Sequence, residues 1–146
     1  MRTWQTAYEH VFGAERLSLL TVERRLPMWR EILGNDDVTA FVAEDGSQIV
    51  GLATVGPSRE DDAEGELYAI YVEPGAWGTA AGPALMRAGL DVLRQDGYRA
   101  AILWVLGDNP RARRFYEREG WGLDGARREG EHLGVATLEL RYRIGL

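Results

Sequence analysis

Between Glu66 and Leu85 the chain reads Glu-Leu-Tyr-Ala-Ile-Tyr-Val-Glu-Pro-Gly-Ala-Trp-Gly-Thr-Ala-Ala-Gly-Pro-Ala-Leu, a strand-like run that passes through a glycine-spaced turn into a helix. This arrangement suits anion binding. Gly78 and Gly82 let the backbone turn tightly and approach a ligand, while the helix behind them offers unpaired amides and a positive dipole end to a phosphate. A second cluster follows at Asn109-Pro-Arg-Ala-Arg-Arg-Phe-Tyr-Glu-Arg-Glu-Gly-Trp121. Its asparagine reads as a helix cap or a ligand donor, and Arg111, Arg113 and Arg114 read as a solvated face or as a phosphate contact. No Gly-Lys-Ser/Thr follows the glycines and there is no dinucleotide fingerprint or Gly-x-Ser-x-Gly elbow, which excludes a P-loop enzyme and a serine hydrolase of that type. His10 and His132 are too few and too distant for a metal site, so no metal is predicted.

The elements that must carry these clusters are legible from periodicity. Apolar residues from Thr3 to Leu20 recur at helical spacing with a break near Gly13, and a second amphipathic helix follows Thr21, with Pro27 predicting a late start or a kink. Thr39–Glu44 and Gln48–Val55 flank Asp45-Gly46 and read as a hairpin. Glu66–Val72 is a strand, Pro83–Gln95 a helix with Leu85, Met86, Leu90 and Leu93 inward, and Ala100–Leu106 an apolar strand of the kind buried on both faces at the centre of a sheet. A helix over Arg111–Glu119 and two strands, Gly122–Glu129 and His132–Tyr142, complete the chain, with His132 placed in an exposed turn.

With 146 residues, 45% hydrophobic, the chain is sized for a single domain spanning 1–146. The absence of cysteine excludes disulfides, cysteine-ligated zinc and a thiol-bound enzyme intermediate. A net charge of -6 speaks against nucleic-acid binding, although eight arginines face five acids between Arg94 and Arg128, and one arginine faces five acids between Arg59 and Glu66. The lack of an apolar run of about 18 residues, and an N-terminus unlike a secretory signal, predict a soluble cytoplasmic protein with no membrane partner.

Together, in this order and separated by one helix and one strand, the two clusters resemble the signature of the GCN5-related N-acetyltransferases, the GNAT family, over roughly Phe41 to Tyr142. Val72, Pro74, Gly78, Gly82 and Leu85 match its acetyl-CoA motif, and Asn109, Ala112, Phe115, Tyr116 and Gly120 match its second cofactor motif. The resemblance implies an α+β fold (an α/β sandwich): a mixed central sheet of about six strands with flanking helices. It also implies transfer of an acetyl group from acetyl-CoA to a primary amine, on a small molecule or a peptide, directly within a ternary complex. The family ordinarily opens with a strand ahead of the first helix. Here the expectation is a sheet without it, leaving the strand near Phe41 open to homodimer pairing.

The donor site so implied comprises Ile70, Tyr71 and Val72, the turn residues Trp77, Gly78, Thr79, Ala80, Ala81, Gly82 and Pro83, and Asn109 and Arg113. Backbone amides near Ile70 to Val72 would hold the thioester carbonyl if the strand bulges or splays there. Glu66 is the candidate acceptor of the amine proton, directly or through water, with a solvated loop end as its plainer reading. Tyr116 resembles the family tyrosine that protonates the coenzyme thiolate, and otherwise reads as a packed helix tyrosine. Trp4, Tyr8 and Trp29 read as core or as the wall of an acceptor pocket, and the acidic loop as solvated surface or a lure for a cationic amine. Trp77 stands where the family usually has Arg or Gln, and Ala80 where it usually has Gly. An indole brings no guanidinium charge and Ala80 adds a methyl, so both predict weaker coenzyme binding, and a module that binds without turnover is the rival reading.

Overall fold

The alternating and continuous apolar runs assemble into one six-stranded mixed sheet of order β1-β2-β3-β4-β6-β5. The computed structural model describes residues 2–61 and 64–146, the side chains of Arg2 and Trp4 excepted; the expected role of Trp4, and Asp62 and Ala63 of the acidic loop, lie outside the described residues. The strands are β1 (Thr39–Asp45), β2 (Gln48–Pro57), β3 (Gly65–Val72), β4 (Ala100–Leu106), β5 (Gly122–His132) and β6 (Val135–Gly145), and the helices are α1 (Arg2–Ser18), α2 (Val22–Leu33), α3 (Ala81–Gln95) and α4 (Pro110–Arg118). The Asp45-Gly46 signal does turn β1 into β2, with Asp45 opposite Gln48. The last hairpin turns later than the sequence suggests. Leu133 and Gly134 both take positive φ, which makes a two-residue turn and puts exposed His132 at the end of β5 opposite Val135.

β4 is central as expected, parallel to β3 and antiparallel to β6. α3 buries Leu85, Met86, Leu90 and Leu93 at helical spacing, in one core with Ala53 and Val55 of β2 and Leu67 of β3. Gly13, with φ of 75°, interrupts α1, whose Phe12 and Leu17 form a second apolar cluster with Leu106. α2 begins at Val22, capped by the Thr21 hydroxyl, and runs through Pro27 to Leu33 without a buried residue. Among the described residues β1 pairs only with β2, so its outer edge has no strand beside it, and Val42 and Ile49 of this hairpin are exposed. No described helix is long and apolar enough to cross a membrane.

Two irregularities of β3 position the site. Opposite β2, Thr54 faces Ala69 while Val55 faces Leu67, so Tyr68 is an extra, bulged residue. Against β4 the parallel ladder contains two pairs, Gly65 with Ala101 and Glu66 with Ile102. Beyond Glu66 the two strands diverge.

Candidate active site

A cavity of about 620 Å³ fills the space where β3 and β4 part, a size suited to a small-molecule ligand. One wall is Tyr68 to Val72 of β3, beyond its ladder with β4; the other is Trp104 and Val105 of β4 with Asn109, Ala112, Phe115 and Tyr116 from the α4 region. Ala76 to Thr79, Gly82 and Pro83 close one end, and Ala7 and Tyr8 of α1 cover the opening. The site thus brings together Ile70, Tyr71, Val72, Trp77, Gly78, Thr79, Gly82, Pro83, Asn109 and Tyr116. Gly78 has φ of 78°, where a side chain would be strained, and a Cβ on Gly82 would stand 3.3 Å from the Phe115 ring and narrow the passage. Gly78 is thus required by the backbone of the turn and Gly82 by the approach of Phe115.

Tyr116 is 8% exposed, packed against Trp121 and Tyr142, and its remaining surface borders the cavity. Burial, then the neighbouring Tyr8 and Tyr71, raises its pKa far above that of a free phenol, so the hydroxyl stays protonated. Tyr8 is pushed up to about 12, mainly by burial, and its hydroxyl exchanges a hydrogen bond with the Asn109 side chain. Asn109 also caps α4 by accepting from the Ala112 N–H at 3.1 Å, so capping and cavity lining belong to the same side chain. His10 ties α1 to this corner through Nε2 and the Asp108 carbonyl, 2.6 Å apart.

Several expected site residues lie elsewhere. Ala80 and Ala81 are outside the cavity wall, and the Ala81 N–H is taken by the Thr79 hydroxyl at 3.3 Å, so the Ala80 methyl does not obstruct the space. Arg113 is on the face of α4 turned from the cavity, where its Nε donates to the Tyr142 hydroxyl at 3.1 Å and its Nη1 to the Gly107 carbonyl at 3.3 Å. Arg111, Arg114 and Arg118, at i, i+3 and i+7, line the cavity instead. Glu66 is 1% exposed and absent from the wall; it accepts from the Arg59 backbone N–H at 3.0 Å and pairs with the Arg59 guanidinium. The geometry therefore does not bring Glu66 to the cleft as a direct proton acceptor, because Arg59, seven residues upstream, occupies its carboxylate. The carboxylate in the described wall is Glu119, beside Arg118 at the end of α4.

The acidic loop is also committed. Glu60 accepts from Trp104 Nε1 at 2.7 Å and from Arg141 at 2.8 Å, and Glu64 pairs with Arg143 at 2.6 Å. A smaller hollow of about 160 Å³ adjoins the cavity across Tyr71 and Thr3, lined by Arg25, Trp29 and Glu73, with Trp29 set edge-on to Tyr71. Trp29 thus lines the smaller hollow and Tyr8 the main cavity, while Tyr68, Trp104 and Phe115 are wall residues that periodicity alone does not single out. The bulge that turns Tyr68 inward carries no sequence mark.

Tyr142→Phe gives an expected result that separates Arg113 from the site. The buried Tyr142 hydroxyl donates to Glu117 at 2.8 Å and accepts from Arg113, so its loss destabilises the fold by about 1–2 kcal/mol in urea unfolding. Ligand affinity at the cavity stays unchanged, as calorimetry would read. A tenfold loss of affinity would restore Arg113 to the binding wall.

The sheet thus splays between two parallel neighbours, beside a glycine turn and a tyrosine-bearing helix. The model of the acetyltransferase (GNAT) family matches residues 3–121, and the chain belongs to that family. An uncharacterized N-acetyltransferase, YuaI of Bacillus subtilis, is 32% identical over 113 residues, covering 74% of this chain and 62% of that protein. A mycothiol acetyltransferase of Rhodococcus jostii is 37% identical over 102 residues, 68% of this chain and 33% of that protein. The chain thus spans less than two thirds of the length of these relatives. The fold is shared with a ribosomal-protein-alanine N-acetyltransferase from Brucella melitensis, TM-score 0.74 at 23% identity, covering 99% of this chain and 90% of the other. It is shared equally with the PaiA N-acetyltransferase of Thermoplasma acidophilum, solved with coenzyme A, TM-score 0.74 at 16% identity over 99% and 87% of the two chains.

Proposed function

We propose that this chain transfers an acetyl group from acetyl-CoA to a primary amine, directly, with both substrates bound. The observation that carries the reading is the divergence of β3 from β4, which sets the backbone of Tyr68 to Val72, beyond its ladder with β4, and the protonated hydroxyl of Tyr116 on the walls of one cavity. When bound, acetyl-CoA supplies a thioester whose carbonyl carbon takes the amine nitrogen as its carbon–sulfur bond breaks. Amides in the Ile70 to Val72 stretch hold the carbonyl oxygen. Tyr116 gives its phenolic proton to the sulfur and regains one from solvent. Gly78, Thr79, Gly82 and Pro83 seat the phosphate-bearing arm, and Asn109 and Phe115 line its course. The amine approaches across Tyr71 from the hollow lined by Trp29 and Glu73. Its excess proton leaves through water, since Glu66 is sequestered by Arg59.

Titration calorimetry with acetyl-CoA, followed by a screen of amines for thiol release, tests this reading. The chain suits the assay. It has no cysteine, so a thiol reagent reads released coenzyme alone, and its 17 basic residues are all arginine, so no lysine of its own accepts acetyl. Binding with no thiol release for any amine would favour the coenzyme-binding module instead.

The pH profile follows from the amine and from Tyr116. An alkylamine with a pKa of about 10.4 gains its neutral form about tenfold per pH unit, so kcat/KM rises steadily toward pH 10. A proton donor works only while protonated, and the raised pKa of Tyr116 keeps it so throughout that window. No descending limb is expected below pH 10; a fall between pH 8 and 10 in a stable enzyme would mean that a required acid titrates in that range, against a Tyr116 donor held protonated by burial.

A further inference from the structure

The glycine turn has lost the guanidinium its family usually carries there, yet a guanidinium occupies its neighbourhood. Arg111, reaching over from α4, has its Cζ 3.6 Å from the centroid of the Trp77 ring. The indole is itself fixed by donation from Nε1 to the Val72 carbonyl at 2.8 Å. We propose that Arg111, stacked on Trp77, is the cation that receives the pyrophosphate of the coenzyme, a role passed from the turn to the opposite wall of the cleft. The inference rests on the acetyl-CoA reading above.

Three features of the chain carry it. A guanidinium lying flat on an aromatic face keeps its N–H edge free for a bidentate phosphate contact, and the stack orders a long side chain before the ligand arrives. Arg111 lines the same cavity as Gly78 and Gly82, and among the described residues neither it nor Arg114 has a carboxylate partner. Arg59, Arg141 and Arg143, by contrast, are each held by an acid of the Glu60 to Glu66 region. Finally, burial and then repulsion from Arg114 and Arg118 bear on the Arg111 charge, and an arriving dianion relieves the repulsion. With no lysine in the chain, the cationic side chains of the described cavity wall are arginines. Trp77 is thus a platform for the charge rather than a loss of it.

The test compares coenzyme A with pantetheine, which has the same arm without phosphates, by calorimetry on the full chain. Arg111→Ala is expected to weaken coenzyme A binding about 10- to 100-fold and flatten its salt dependence, while pantetheine affinity stays as in the parent. Adding Trp77→Arg to Arg111→Ala returns the guanidinium to the turn and recovers at least about tenfold of that loss. This rescue separates a lost contact from a damaged fold, which circular dichroism checks independently. Arg111→Ala within about threefold of the parent for coenzyme A, or an equal loss for pantetheine, would overturn the inference while leaving the acetyl-CoA reading intact. A parent chain that takes up no coenzyme A would overturn the reading itself and the inference with it.

Discussion

Replacing Tyr116 by Phe is expected to lower kcat about 100-fold while leaving the Kd for acetyl-CoA within about twofold. The substitution removes one oxygen from a ring held by Phe115, Trp121 and Tyr142, so the packing that positions α4 is kept. The missing group is a hydroxyl held neutral by burial on the cavity wall, where the proposed reaction would have it protonate the departing sulfur. Since a thiolate leaves tolerably without help, the loss stays at the lower end of the effect of a general acid. The rate must be read where chemistry limits turnover, by single-turnover quench with a saturating amine. An unchanged single-turnover rate would make Tyr116 a packing residue. A parallel collapse of coenzyme affinity would mean that the hydroxyl organises the cavity rather than the proton transfer.

Much of this fold follows from pattern. Alternation, glycine punctuation and the apolar stripe of α3 place every strand and helix in order, because those signals are local. The site was legible where it is made of backbone: Gly78 and Gly82 are spaced by a geometric need that sequence records directly. It was less legible where it depends on pairs brought together by the fold. Trp77 reads as a missing charge until Arg111, on the far side of α3 and β4 in the chain, is seen against its ring. Among the three arginines the choice between Arg113 and Arg111 turns on which face of a nine-residue helix meets the sheet, and Tyr142, the partner that claims Arg113, lies 29 residues away. Glu66 illustrates the same limit, since a carboxylate at a strand start looks available until Arg59 folds back onto it.

Glu66→Ala is accordingly expected to cost stability more than chemistry. Both carboxylate oxygens serve Arg59, one accepting its backbone N–H, and Glu66 is among the largest fully buried side chains of the chain. Removing it leaves that N–H without its acceptor and opens a void. The Arg59 side chain, 64% exposed, returns to water, so the cost falls below that of a fully buried pair, at about 2–3 kcal/mol. The consequence for function is indirect. Arg59 also sits over the Tyr68 ring, 5.2 Å from its centroid, and the Tyr68 hydroxyl donates to the Pro57 carbonyl. The pair therefore pins the bulge at the point where β3 leaves β4, and a loosened pin would shift the amides proposed to hold the carbonyl. Urea unfolding should show the loss of stability, with kcat of the folded variant reduced by no more than about tenfold. Glu66→Gln, which keeps the volume and an acceptor for the Arg59 N–H, should recover about half of the lost stability and most of the rate. A Glu66→Gln variant as stable as the parent but slowed beyond about 100-fold would return Glu66 to the proton path, through water entering the bulge. Stability and rate moving together across the two variants would instead tie the carboxylate to the geometry of the splayed strand.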